Sequence, residues 1–235
     1  MARAPATARA RARAELTAEI KATARRHVAE VGAPALSLRA VARDLGMVSS
    51  AIYRYFPSRD ALLTALIVDA FDAVGAAAEA AIDGSPNDAL ARWRAAATAV
   101  RDWALANPHD YALVYGSPVP GYQAPQDTVT PAARVSLVML RVLTDGVASG
   151  QIDTTPTSRV PRAVHADLAR LRDLAAPNVP DEVLSRGLAV WTGLFGTISY
   201  ELFGHFHRVI DDYDGFFDHQ VRRAGAYLAA GPADR

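Results

Sequence analysis

The stretch from Leu38 to Leu63 reads LRAVARDLGMVSSAIYRYFPSRDALL and contains two short predicted helices joined by a tight turn. Ser37 can accept a hydrogen bond from the first turn of the first helix, and Gly46 can adopt the left-handed conformation that ends that helix. Two short helices around a glycine turn, after a longer amphipathic helix, are typical of a helix-turn-helix. The residues expected to fill its core are Leu45, Met47, Ile52 and Phe56.

The segments on either side of this stretch also have helical periodicity. Apolar residues recur at three- to four-residue spacing along most of the chain, which predicts an all-α fold of nine or ten helices. The stripe from Leu16 to Val31 predicts the helix that completes a three-helix head, and Pro57 ends the second short helix near Phe56. We therefore divide the chain into an Ala/Arg arm at 1–14, expected to be flexible, a helix-turn-helix domain at 15–60 and a larger helical domain at 61–235.

Charge is distributed unevenly along a chain that is neutral as a whole. Residues 1–60 carry 11 basic and 5 acidic side chains, a net charge of +6, whereas the remaining residues carry 14 basic and 20 acidic ones. A basic head on an acidic body predicts a polyanionic partner for the head alone.

Composition argues against several other classes of protein. The chain has no cysteine, which rules out disulfides, zinc fingers and thiolate chemistry. No signal peptide is evident, and the apolar run at 187–200 is shorter than the roughly 20 residues of a membrane span. We find no glycine-rich phosphate loop, nucleophile elbow or zinc-protease motif. The sequence thus predicts a cytoplasmic protein that is not an enzyme, binds no membrane, and needs neither a metal nor a cofactor.

The string 38–63 closely resembles the DNA-binding head of repressors of the TetR/AcrR family. The resemblance implies that the second short helix is a recognition helix and that the protein binds double-stranded DNA. It further implies that Tyr53 and Arg59 contact phosphates, while Arg39 and Ser49 influence base preference. The DNA-contacting residues implied in this way are Ser37, Arg39, Ser49, Ser50, Ala51, Tyr53, Tyr55 and Arg59.

Residues 190–206, VWTGLFGTISYELFGHF, resemble the C-terminal domain of one subgroup, which is marked by a Trp-Ser/Thr-x-x-His-Gly motif. Trp191, Thr192 and Gly196 match that motif, but Phe195 stands in the place of its histidine. The family resemblance implies that residues 61–235 bind a ligand and pair two protomers through the last two helices.

A helix expected over about 181–206 carries small residues at three- and four-residue intervals. Such a stripe lets another helix approach closely, either in a homodimer interface or inside one chain, and we favour the dimer interface. The predicted interface consists of the glycines Gly193, Gly196 and Gly204 together with Tyr200 at the same spacing.

Aromatic and sulfur-containing side chains of the body are candidates for lining a ligand cavity. An apolar wall with few polar groups favours a small hydrophobic molecule. The candidate residues are Trp93, Trp103, Tyr111, Tyr115, Met139 and Phe195.

Together these features predict that the protein is a repressor, which a small hydrophobic molecule releases from a palindromic operator. The alternative is a helical dimer that binds a small molecule and no DNA.

Overall fold

The computed structural model describes residues 8–156 and 159–230. Within these residues the elements of secondary structure are all helices joined by loops, which confirms the predicted fold class. Short 3-10 turns lie at Ala33–Ala35 and Gln126–Thr128. The α-helices are α1 (Ala8–Val31), α2 (Leu38–Asp44), α3 (Ser49–Ile52), α4 (Arg59–Asp83), α5 (Ala89–Ala106), α6 (Pro108–Tyr115), α7 (Val129–Ala148), α8 (Arg162–Ala175), α9 (Asp181–Leu202) and α10 (Tyr213–Ala229).

The helices form two compact units. The first contains the described residues up to Ala70 together with His109–Val129, and the second contains Phe71–Pro108 and the described residues from Thr130 onward. The first unit therefore holds α1, α2, α3, the beginning of α4, and α6. The second holds the rest of α4 with α5 and α7 to α10.

Short-range capping shapes the helix-turn-helix in the first unit. The side chain of Ser37 accepts a hydrogen bond from the backbone N–H of Ala40 at the start of α2. Gly46 has φ +64°, and the next N–H, that of Met47, donates to the Ala42 carbonyl at 2.8 Å, which closes α2. Ile52 and Phe56 are buried as predicted, whereas Leu45 and Met47 are only half-buried.

The expected flexible arm is corrected for residues 8–14, which form the first two turns of α1. Residues 1–7 lie outside the described residues. Alanine and arginine both favour the helix, so this segment needs no apolar stripe to become helical. The second short helix is also shorter than expected, because α3 makes a single turn and Tyr53–Tyr55 continue as hydrogen-bonded turns before Pro57.

By length and composition α4, rather than the 187–200 run, is the described helix that is long and apolar enough to cross a membrane. A core helix passes the same test when its apolar residues are buried. Those of α4 are buried at helical spacing, including Leu62, Leu66, Ala70, Val74 and Ile82. We therefore interpret α4 as a core helix.

The second unit is built around α5, α7, α9 and α10. Trp93 of α5 is 3% exposed, and its Nε1 donates to the Val221 carbonyl of α10 at 2.9 Å. At Gly187 the backbone of α9 approaches α7 so closely that a Cβ there would lie 2.5 Å from Cδ1 of Leu143. These contacts hold α5 against α10 and α7 against α9.

Candidate nucleic-acid interface and ligand cavity

The recognition helix α3 presents a small, uncharged surface. Ser49 and Ser50 are exposed at its start, Tyr53 is 43% exposed just after its end, and Ala51 is half-buried. Ile52 faces the core and is fully buried. Hydroxyl groups on a protruding helix end can donate to base edges and to phosphate oxygens.

Exposed arginine side chains also lie on α2 and directly after α3. Arg39 on α2 and Arg54 after α3 are exposed, and Arg43 exposes 80% of its side chain. Ser37 is half-buried, and its oxygen caps α2, as described above. The structure thus combines exposed cations with the hydroxyl groups of α3 on the first unit.

Arg59 is less exposed than Arg39, Arg43 and Arg54. Its guanidinium donates to the carbonyl oxygen of Ala33 at 3.3 Å and lies 3.5 Å from a carboxylate oxygen of Asp60. The side chain is 31% exposed. Arg59 therefore stabilises the turn after α1 through the Ala33 carbonyl. Its contact with a DNA phosphate stays a prediction.

Tyr55 is half-buried beneath an arginine of α1. The guanidinium carbon of Arg13 lies 5.0 Å from the centroid of the Tyr55 ring, and the same side chain donates to the Arg54 carbonyl at 3.1 Å. Sequence reasoning missed Arg13, because it placed this residue in a flexible arm. The helix propensity of the Ala/Arg run was the signal that could have identified it.

Part of the positive charge of the first unit is neutralised internally. Asp69 of α4 accepts hydrogen bonds from Lys21 at 2.9 Å and from Arg25 at 2.7 Å. Nε of Arg25 also lies 3.5 Å from Asp110, and burial raises the pKa of that carboxyl group. These two cations are therefore less available to DNA than the exposed arginines around α3.

His27 of α1 and Asp44 of α2 form a hydrogen bond of 2.7 Å between Nε2 and Oδ2. This bond lowers the pKa of the Asp44 carboxyl group. The contact joins the two helices that support the recognition helix.

The structure brings together only some of the residues predicted to line a cavity. Trp93 and Met139 both border a small void of about 10 Å³ between α5, α7 and α9, and Trp93 also borders open grooves of about 350 Å³ and about 710 Å³ beside α10. Tyr111 and Tyr115 belong to the first unit instead, where their rings pack at a tilt of 43° with centroids 5.1 Å apart. Phe195 packs on Trp191 at 4.8 Å, and neither Phe195 nor the half-buried Trp103 lines a cavity described here.

A larger apolar cavity of about 110 Å³ lies between α7, α8 and α9. Of the predicted residues only Met139 belongs to it. Its walls are mostly leucine side chains, which aromatic-based reasoning passed over although their helical spacing was visible in the sequence. They include Leu140, Leu143, Leu171, Leu174, Leu184, Leu188 and Trp191, with Ser136 as a polar group.

The glycine stripe on α9 faces solvent. A Cβ at Gly193 or at Gly196 would meet no atom of the described residues within 4 Å, so these glycines do not serve close packing inside the protomer. Tyr200 is 53% exposed on the same helix. Gly204 lies beyond the helix, which corrects its assignment to the stripe: it has φ +76° and ends α9, with the next N–H donating to the Tyr200 carbonyl at 2.9 Å.

Within the described residues, no cluster of three or more histidine and carboxylate side chains could hold a metal ion.

Two family models match the chain. Residues 20–66 match the model described as bacterial regulatory proteins of the tetR family. Residues 93–224 match the model described as the tetracyclin repressor-like C-terminal domain. The first match covers the helix-turn-helix, and the second covers most of the body.

Curated relatives are similar over nearly the whole chain. HTH-type transcriptional regulators of Mycobacterium tuberculosis (Rv1816) and Mycobacterium bovis (Mb1846) are each 40% identical over 221 residues, which is 92% of this chain and 93% of the relative. The crystal structure of SCO4313, which is described as a regulatory protein, is 36% identical with a TM-score of 0.75 and covers 91% of this chain and 97% of its own. A regulatory protein of the tetR family from Rhodococcus RHA1 shares the fold at 20% identity, with a TM-score of 0.62 over 93% of this chain and 98% of its own.

Proposed function

The chain belongs to the TetR family of bacterial regulatory proteins, and we propose that it is a repressor released from a palindromic operator by a small hydrophobic molecule. Its function as a DNA-binding transcriptional regulator follows from the helix-turn-helix match and from relatives of that description. This places it among regulators rather than enzymes, and it sets aside the alternative of a dimer that binds no DNA. We place its action in the cytoplasm, where an operator is accessible.

The observation that carries the proposal is the exposed end of α3. Ser49, Ser50 and Tyr53 protrude while Ile52 anchors the helix in the core, so the recognition surface is held rigidly and can enter a major groove. Small side chains make few bidentate base contacts. We therefore infer that Arg39 and the shape of the DNA contribute much of the sequence preference.

We assign the dimer interface to the solvent-facing side of α9 and α10. Gly193 and Gly196 leave room for a partner helix, and Tyr200 adds apolar surface at the next turn. A groove of about 350 Å³ between these two helices is bordered by Gly193, Thr197 and Tyr227. A homodimer would present two recognition helices to two half-sites, separated by about 34 Å or a multiple of it, which is the repeat of the DNA helix.

The cavity between α7, α8 and α9 is our candidate ligand site. Its wall is mostly hydrocarbon, with the Ser136 hydroxyl and the Trp191 indole as its polar side-chain groups, which favours an apolar ligand with few hydrogen-bonding groups. At about 110 Å³ it is smaller than a typical ligand pocket of roughly 300–1,000 Å³. Leu174 and Leu188, which are 63% and 42% exposed, mark where α8 could move away from α9 and enlarge the site.

The proposed function is tested by selecting bound fragments from the source genome with the purified protein. We expect the recovered fragments to share a palindrome that the protein binds as a dimer, with an affinity that falls steeply as salt rises. Analytical ultracentrifugation of the complex gives the stoichiometry. Enrichment of no common site, or binding that does not respond to salt, would refute the proposal.

A further inference from the structure

The first two turns of α1 lie beside the recognition helix. Arg13 holds them there, since its guanidinium contacts both the Tyr55 ring and the Arg54 carbonyl, as described above. Arg13 is exposed and Tyr55 is half-buried, so this contact lies at the surface of the first unit. The start of α1 is therefore fixed to the residues that directly follow α3.

This segment carries an unusual concentration of positive charge. Residues 8–14 read ARARARA, and the first turn of α1 contains no acidic residue. All three arginines are exposed. Cations near the start of a helix interact unfavourably with its dipole, so a nearby anion would stabilise the segment.

The two arginines that precede Arg13 lie on different faces of α1. Arg9 is four residues before Arg13, so it shares the face of the Tyr55 contact and lies about 6 Å further along the axis. Arg11 lies about 160° around the axis from either of them. Of these two arginines, Arg9 is the one that extends the Arg13 face toward the start of α1.

We propose that Arg9 makes an additional DNA contact, outside the helix-turn-helix: it binds a backbone phosphate that flanks the half-site read by α3. This inference rests on the DNA-binding function stated above. The position of Arg9 is fixed by the helix and by the Arg13 anchor, so its charge can reach the sugar–phosphate backbone without a flexible arm. A phosphate contact is independent of sequence and adds affinity for any duplex.

The test compares three variants of the full chain: Arg9→Ala, Arg9→Lys and Arg11→Ala. Binding to a fluorescein-labelled 30-base-pair duplex of mixed sequence is followed by fluorescence anisotropy from about 50 to 200 mM NaCl. Arg9→Ala and Arg11→Ala each remove one positive charge from the same two turns, and alanine preserves the helix. They differ only in the face that they alter.

We expect Arg9→Ala to lower the affinity about fivefold to tenfold per protomer at 0.1 M salt, and to reduce the log–log salt slope by about 0.9 per contact. Arg9→Lys keeps the slope because the charge remains. Arg11→Ala stays within about twofold of the wild type, since its charge lies on the far side of a helix about 10 Å wide, close to the Debye length.

Two results would overturn the inference while leaving DNA binding intact. One is an unchanged salt slope for Arg9→Ala. The other is an equal loss for Arg9→Ala and Arg11→Ala, which would indicate general charge rather than a placed contact. A wild-type chain that binds no duplex at any of these salt concentrations would instead refute the DNA-binding function itself.

Discussion

Arg134 of α7 lies directly against Gly75 of α4, where a Cβ added to the glycine would be only 2.7 Å from the arginine Cβ. The guanidinium then reaches along α4 in both directions. It donates to a carboxylate oxygen of Asp72 at 2.8 Å and to one of Glu79 at 2.6 Å. The missing side chain at residue 75 thus lets α7, a wall of the candidate ligand cavity, pack closely on the long helix α4.

Gly75→Ala is expected to lower the free energy of unfolding by about 1–3 kcal/mol, because the backbone of one helix must move to relieve the overlap. Helix propensity alone predicts the opposite sign, a gain of roughly 0.5–1 kcal/mol. Urea denaturation followed by circular dichroism separates the two outcomes. A variant as stable as the wild type, or more stable, would contradict the close packing.

The Arg134 ion pairs also predict how stability depends on pH. The hydrogen bond from Arg134 lowers the pKa of the Glu79 carboxyl group below its ordinary value. A carboxylate with a lowered folded-state pKa contributes stability above its unfolded pKa, and that contribution is lost as the pH falls through the folded pKa. We therefore expect Arg134→Gln to reduce the loss of stability below about pH 4.5.

Arg141→Gln is the matched control for that prediction. Arg141 also joins α7 to α4, through an ion pair of 2.8 Å with Asp83, but both side chains are at least half exposed. Exposed pairs contribute little, so this variant is expected to follow the wild-type curve of urea midpoint against pH. Identical curves for Arg134→Gln and Arg141→Gln would show that the Arg134–Glu79 pair contributes no more to the pH dependence of stability than the exposed Arg141–Asp83 pair.

The parts of the fold that the sequence predicted correctly depend on residues close together in the chain. Capping by Ser37, the turn at Gly46 and the burial of Ile52 all follow from local periodicity and backbone preferences. The Arg134–Gly75 contact joins residues far apart in the chain, and no spacing rule predicts it. The apolar pattern continues past Gly204 and predicts a helix end near residue 206, but the positive φ of Gly204 ends α9 at Leu202.

The lining of the candidate cavity also depends on contacts between residues that are far apart in the chain. Aromatic residues at helical spacing suggested a lining, but Tyr111 and Trp93 belong to different units. Which apolar residues share a cavity depends on how α7, α8 and α9 pack, and that is a property of tertiary structure. The DNA-contacting residues that the family resemblance implies remain predictions, and the roles of Tyr53 and Arg39 can be distinguished by mutation.

Tyr53→Phe is expected to weaken binding to operator and to mixed-sequence duplexes by the same factor, because the exposed hydroxyl is assigned to a phosphate. Arg39→Ala is expected to change the ratio of the two affinities, because Arg39 is assigned to base recognition. Both are measured by anisotropy on an operator recovered from the genomic selection. Loss of specificity in Tyr53→Phe with unchanged mixed-sequence affinity would reverse these roles.

Gly196→Leu is expected to convert dimers into monomers while leaving the protomer folded. Within the described residues the new side chain meets no atom near its Cβ, so the overlap arises only against a partner, once in each protomer. Sedimentation velocity reports the oligomeric state, and circular dichroism checks the fold. Ala166→Leu, at an exposed position of α8, is the control and keeps the wild-type state. A dimeric Gly196→Leu would place the interface elsewhere.

The last prediction concerns coupling between the cavity and the operator. A ligand that releases the protein from DNA must bind the DNA-free form more tightly, and operator DNA must lower ligand affinity by the factor by which ligand lowers DNA affinity. We expect this factor to be about 5–150, which corresponds to roughly 1–3 kcal/mol. An apolar compound found by thermal-shift screening is titrated into free and operator-bound protein by calorimetry.

The variant Leu140→Trp tests whether the compound binds in the candidate cavity. Leu140 is buried in the cavity wall, and an indole there fills the space that the ligand would occupy. The variant is expected to bind operator and to lose the thermal shift. If the compound bound this variant as tightly as the wild type, its site would lie elsewhere. If the compound bound the free and the operator-bound wild type with equal affinity, it would not be the ligand that regulates DNA binding. A ligand with equal affinity for two states does not shift the equilibrium between them.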